Sequence, residues 1–235
     1  MVALRDTEAA IRALREAFDT AERAGAPGVA SVALAYEGVH HGLAGRLDGV
    51  HDCLGRLDAR LADSRVDHAA WHLGLVLRLA VATVSDPETG FRAGKLWEET
   101  YIDSPVSFGV LNTAAAACVG DVEGTQWRLR EAIRQSQERS ADDGFPDWLI
   151  PLAVLAHAVG NVVLCRKLVT AIRRSPVPTH NFLHTIIYRQ LRDRVGLAEQ
   201  NSLDEQTIEE VFDEAMSWMD SLATTENSGP QQPIS

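Results

Sequence analysis

His68 and His72 stand four residues apart in His68-Ala-Ala-Trp-His72. On a helix this spacing puts both imidazoles on one face, where they could hold a transition-metal ion with His40, His41 or His51 as further ligands. A metal site built between helices ordinarily adds inward-facing carboxylates. The nearest acids, Asp52 and Asp67, flank histidines without an evident shared face, so histidines scattered over helix surfaces and ends are favoured over a metal centre. A second group is basic. Arg173, Arg174, Arg189, Arg192 and Arg194 lie close in sequence, with His180 and His184 nearby. Arginine forks bind carboxylates and phosphates bidentately, so Arg189 and Arg192 are candidates to receive an acidic partner segment; the alternative is a solvated face paired with Asp193 and Glu199. A third group, Asn112, Asp147 and His157, supplies polar atoms on otherwise apolar stretches and could line a partner-binding groove. No Ser/His/Asp or Cys/His set has supporting local context, and no glycine-rich phosphate loop occurs, so neither catalytic residues nor a cofactor are expected.

Helices must position these residues, and the hydrophobic pattern supplies them. Thr7 to Ala24 carries Ala10, Ile11, Leu14, Ala17, Phe18 and Ala21 on one stripe, and Gly25-Ala-Pro27-Gly28 ends it. From Val29 onward apolar arms alternate with amphipathic returns. Val29 to Ala44 returns through Val50 to Ala62, Val66 to Val84 through Phe91 to Tyr101, and Val106 to Val119 through Glu123 to Gln137. Asp147 to Val159 then returns through Val162 to Arg174, and an arm from Asn181 is answered by Thr207 to Leu222. The turns fall at Gly45, Ser85, Gly120, Gly160 and Gly196, a recurrence of roughly 35 to 40 residues that suits helix-hairpin arrays. The five tryptophans are read mostly as core: Trp127 is assigned to an apolar stripe with Leu129, Ala132 and Ile133, and Trp148 to packing at a helix start. Residues 223–235 lack apolar content and are expected to be a disordered tail. No stretch alternates as a strand would.

Composition narrows the function classes. A net charge of -11 argues against nonspecific binding to nucleic acid or anionic lipid, both of which need a basic surface. The longest apolar stretch, Leu73 to Val84, is interrupted by Arg78 and is shorter than the roughly 20 residues a bilayer requires. The amino terminus turns charged at once and lacks the apolar core of a secretory signal, so a cytoplasmic location is expected. The three cysteines, Cys53, Cys118 and Cys165, lie far apart and form neither a disulfide framework nor a metal-spaced cluster.

A small residue in the first arm (Gly38, Thr113, Ala153) is followed by the turn glycine (Gly45, Gly120, Gly160). An apolar residue comes two positions later (Leu47, Val122, Val162), and a larger one in the return arm (Leu54, Leu129, Val169). This pattern resembles tetratricopeptide-like repeats, especially those of bacterial MalT-like or LuxR-type regulators and signal-transduction ATPases. It departs from them at Ser85-Asp86-Pro87, which replaces a turn glycine, and in the long connection of the last hairpin. The chain also lacks the P-loop of the ATPases. The resemblance implies an all-α protein with antiparallel helix hairpins stacked as an α-solenoid, the alternative being a compact helical bundle. The expected organisation is an N-terminal amphipathic helix and linker over 1–28, about five hairpins over 29–222, and the tail. The implied function is a non-catalytic scaffold, regulatory in setting, that binds a protein or peptide partner or another copy of itself. Two readings from other classes stand beside it: a helical metal-dependent enzyme using His68 and His72, and a sensor whose hydrophobic ligand fills the groove.

Overall fold

The computed structural model describes residues 6–63, 68–100, 106–138, 147–175, 182–196 and 206–226. Among them the protein is all-α and has no strand. The helices are α1 (Thr7–Arg23), α2 (Pro27–Leu43), α3 (Leu47–Asp63), α4 (His68–Ser85), α5 (Pro87–Thr100), α6 (Val106–Cys118), α7 (Val122–Glu138), α8 (Leu149–Ala158), α9 (Val162–Arg174), α10 (Phe182–Arg194) and α11 (Ile208–Glu226). Pro27 opens α2 instead of separating it from α1, because a proline at the first helical position lacks only an N–H that would be unpaired anyway. Helix α11 runs past Leu222 to Glu226; the rest of the expected tail lies outside the described residues.

The turns share one chemistry. After α2, Gly45 adopts φ 77°, its N–H bonds to the Gly42 carbonyl at 2.9 Å, and the Arg46 N–H bonds to the His41 carbonyl at 2.9 Å. This is the paired C-terminal cap that a left-handed residue makes possible, and glycine takes that conformation without a Cβ penalty. The same two bonds recur at Gly25, Gly120 and Gly160. Where the next residue is Asp121 or Asn161, its side chain caps the following helix at once, accepting from Gly124 N–H at 2.8 Å or Leu164 N–H at 3.2 Å. The turn without glycine uses other means: Asp86 accepts from Thr89 N–H at 3.3 Å and Pro87 starts α5. Helix α11 opens with a reciprocal box, Thr207 Oγ1 accepting from Glu210 N–H and Glu210 Oε2 from Thr207 N–H.

The chain divides into two units, Met1–Ala93 with Thr179–Gln190, and Gly94–Pro178 with Leu191–Ser235. In the first, α2 packs on α1, α3 and α4 around a core of Leu34, Ala35, Cys53, Leu57 and Ala70, bordered by Phe18, Leu61 and Leu73. The part of α10 in this unit also joins it, with Ile186 against Gly42 and Gln190 Nε2 donating to the Ala80 carbonyl at 3.1 Å. In a one-dimensional array each repeat touches only its neighbours, so this long-range contact is of the kind the bundle alternative anticipates. In the second unit α6 lies against α7 and α8, α8 against α9, and α11 packs on α7, α8 and α9. The arms α6 and α8 are apolar on every side, and accordingly Val110, Leu111, Ala114 to Ala117 and Leu149 to Ala156 are all buried.

Candidate functional site

Among the described residues, His68 and His72, the weaker metal-ligand candidates of the sequence, belong to no group of three potential ligands. His68 is exposed at the start of α4, and His72, one turn on, is half-buried with its pKa lowered by burial. His51 is exposed, Asp52 forms an ion pair with Arg56 at 3.5 Å, and Asp67 lies outside the described residues. Instead, one group of three potential ligands occurs among the described residues: Glu37 and His41 on α2, and Cys53 on α3. All three are buried, and one ligand atom from each lies within 4.8 Å of the other two.

Local sequence accounts for part of this grouping. Glu37 and His41 are four apart and share a face of α2, and Cys53 stands on the returning helix α3, as far beyond Gly45 as Glu37 lies before it. Gly49 makes room for the imidazole; a Cβ there would stand 2.5 Å from His41 Nδ1. The Glu37 side chain is only 2% exposed. Its Oε1 accepts from Arg15 Nε at 2.6 Å and lies 3.5 Å from His41 Nε2, while its Oε2 is buried with no hydrogen-bond partner among the described residues. His41 Nδ1 is buried in the same condition. The bond to Glu37 raises the Arg15 pKa, and burial, with a smaller contribution from Glu37, pushes the Cys53 thiol up to about 12. Sequence reasoning weighed His41 as a ligand but missed Glu37 and Cys53. The signals were the lone acid in the apolar arm from Val29 to Ala44 and the register fixed by the Gly45 turn.

The second unit holds a different feature, a cleft of about 170 Å³ between α9 and α11. Val163, Ala171, Ile208 and Val211 give it apolar walls, and Arg166, Lys167, Arg174 and Gln206 its polar groups. Lys167 is held by Glu214 at 2.9 and 3.0 Å, a contact that keeps the Glu214 carboxyl below its usual range. Arg166 donates to the Val195 carbonyl at 3.0 Å and has no acid partner among the described residues. Arg174 donates to the Gln206 carbonyl at 3.2 Å. Val163 at the cleft is 70% exposed.

Asn112, Asp147 and His157 do not line this cleft. Asn112 is half-buried on α6, and its Oδ1 has no hydrogen-bond partner among the described residues. Asp147 is half-buried just before α8, and His157 sits in the last turn of α8 with its pKa lowered by burial and by Arg194. Arg189 belongs to the first unit, its Nη1 3.6 Å from where a Cβ on Gly45 would stand; Arg192 belongs to the second and bonds its neighbour Asp193 at 2.8 Å. Trp148 is buried as expected for helix-start packing. Trp127 is not core: it is 66% exposed, with the Arg128 guanidinium 5.9 Å from its ring. The buried residues of α7 are Val122, Thr125, Leu129 and Ala132, and a residue two positions from both Thr125 and Leu129 is turned about 200° away from them.

No protein-family model, curated protein or solved structure matches this chain. No helix among the described residues is long and apolar enough to cross a membrane.

Proposed function

We propose that the chain is a non-catalytic scaffold of tetratricopeptide-like hairpins that binds an acidic, amphipathic segment of a partner protein in the cytoplasm, in a regulatory setting. The observation that carries this reading is the cleft between α9 and α11, where Val163 stands exposed beside Arg166 and Arg174 over the apolar side chains of Ile208 and Val211. Exposed apolar surface beside two arginines, with Lys167 already held by Glu214, suits an amphipathic segment whose apolar side fills the cleft while its carboxylates meet Arg166 and Arg174. Trp127, exposed on the same unit, has the residue type and accessibility of an interface anchor. The repeated glycine-capped turns support the hairpin-repeat character, with α6 and α8 adjacent as first arms of successive hairpins.

The test is quantitative capture from the native cell extract by the tagged full chain, compared with Val163→Asp and Arg166→Glu. A partner retained near one equivalent by the wild type and lost from both variants, with melting temperatures unchanged, supports the reading. Equal recovery by all three chains refutes it for this cleft. Sedimentation of the purified chain separates a foreign partner from a second copy.

A further inference from the structure

The buried group on α2 and α3 interrupts the apolar core of the first unit. Three side chains of metal-binding type converge there, each burying its polar end: a carboxylate, an imidazole and a thiol. Two of their atoms, Glu37 Oε2 and His41 Nδ1, are shut away from water without a hydrogen-bond partner among the described residues. Buried polar atoms in folded proteins are nearly always satisfied, so each of these two atoms calls for a partner. Arg15 satisfies the opposite oxygen of the same carboxylate. It thereby orients Glu37 and leaves Oε2 turned to another task, as outer partners of metal ligands do.

We propose that Glu37, His41 and Cys53 form a three-ligand site for a divalent transition ion of the zinc type. The ligand chemistry selects the ion. A thiolate beside an imidazole suits zinc or cobalt, whereas magnesium and calcium demand all-oxygen shells. Three protein ligands leave one position of a tetrahedral ion open, in contrast to the closed four-ligand structural sites. Uptake exchanges the Cys53 proton for the metal–sulfur bond and releases that proton to solvent, so binding strengthens as pH rises. Arg15 is 58% exposed and connects the cluster with solvent. His68 and His72 take no part.

The experiment is a titration of the metal-stripped full chain with Co²⁺, followed by Zn²⁺ displacement. A thiolate-to-cobalt charge-transfer band saturating at one equivalent and abolished by Zn²⁺ is expected. Cys53→Ser should lose the band, Glu37→Gln should weaken binding at least about tenfold, and the His68→Ala/His72→Ala double variant should bind as the wild type does. If Cys53→Ser fails to fold, X-ray absorption of the Zn²⁺-loaded wild type decides, because one sulfur ligand is required and a shell of nitrogen and oxygen alone overturns the site. The proposal is also overturned if the folded wild type shows no charge-transfer band, or if the band survives Cys53→Ser and so belongs to Cys118 or Cys165.

Discussion

Helices α4 and α5 meet so closely at Gly90 that any side chain there would be crowded. A Cβ at this position would stand 3.0 Å from the Thr83 nitrogen, 3.1 Å from its Cα and 3.2 Å from the Ala82 carbonyl carbon. All three obstacles are backbone, and the residues that own them are buried, so relief requires α4 and α5 to part by a few tenths of an ångström. Gly55, on the exposed face of α3, is the matched control, since a Cβ there meets nothing within 4 Å. Alanine at either site gains helix propensity of about 1 kcal/mol at most, less at Gly90 because it lies in the first turn. Only at Gly90 does alanine also incur overpacking, about 1–3 kcal/mol. Gly55→Ala should therefore stabilise the first unit by up to about 1 kcal/mol. Gly90→Ala should lie about 1–3 kcal/mol below Gly55→Ala, which at an m-value of about 2 kcal/mol/M separates their urea midpoints by roughly 1 M. Both sites belong to the same unit, so one transition reports on both. Coincident midpoints for the two variants, or a Gly90→Ala chain more stable than the wild type, would refute the close backbone approach.

Removing Arg15 as Arg15→Ala strips the counter-charge from a carboxylate that is 2% exposed and should cost about 2–3 kcal/mol in the metal-free chain, short of a fully buried pair because Arg15 itself is more than half exposed. Adding Glu37→Gln should restore part of that loss in urea unfolding, and an additive double variant would deny the coupling. Trp127→Ala should change stability by no more than about 0.5 kcal/mol, as expected of an exposed site, and a larger drop in midpoint would return the indole to the core. Burial holds His40, His72 and His157 below the ordinary imidazole pKa, with Arg194 adding to the effect at His157. The unfolded chain therefore binds more protons than the folded one below about pH 6.5, and stability, complete above that pH, should fall as pH falls through the lowered values. A urea midpoint that holds or rises on acidification from about pH 7.5 to about pH 5.5 would contradict this. Gly160→Ala forces a Cβ onto a residue at φ 79° and should cost about 1–2 kcal/mol, read as a drop in melting temperature, although no neighbouring atom obstructs it.

What was legible in the sequence follows from which physical rules act locally. The hairpin arms and their ends were readable because helix periodicity, proline at a helix start and glycine at a left-handed cap are properties of a few consecutive residues. Gly45, Gly120 and Gly160 carry the same pair of backbone bonds for that reason. Trp127 was misplaced when residue type outweighed angle: the small residue Thr125 takes the buried position on α7, and the large apolar one lies turned away from it. The contact of α10 with α2 and α4 joins residues more than a hundred positions apart, and no periodicity announces it. The buried polar group lies between these extremes. Once Gly45 is accepted as the centre of a tight hairpin, residues equally far on either side lie at similar heights along the two helices, and Glu37 with Cys53 and His41 with Gly49 are such pairs. Type and spacing alone draw attention to His68 and His72, which share a helix face but gain no third candidate ligand among the described residues. Turn chemistry combined with register leads towards Glu37, His41 and Cys53, where a side chain from a second helix joins the group. The residues able to do chemistry together are found by asking which turn folds them together.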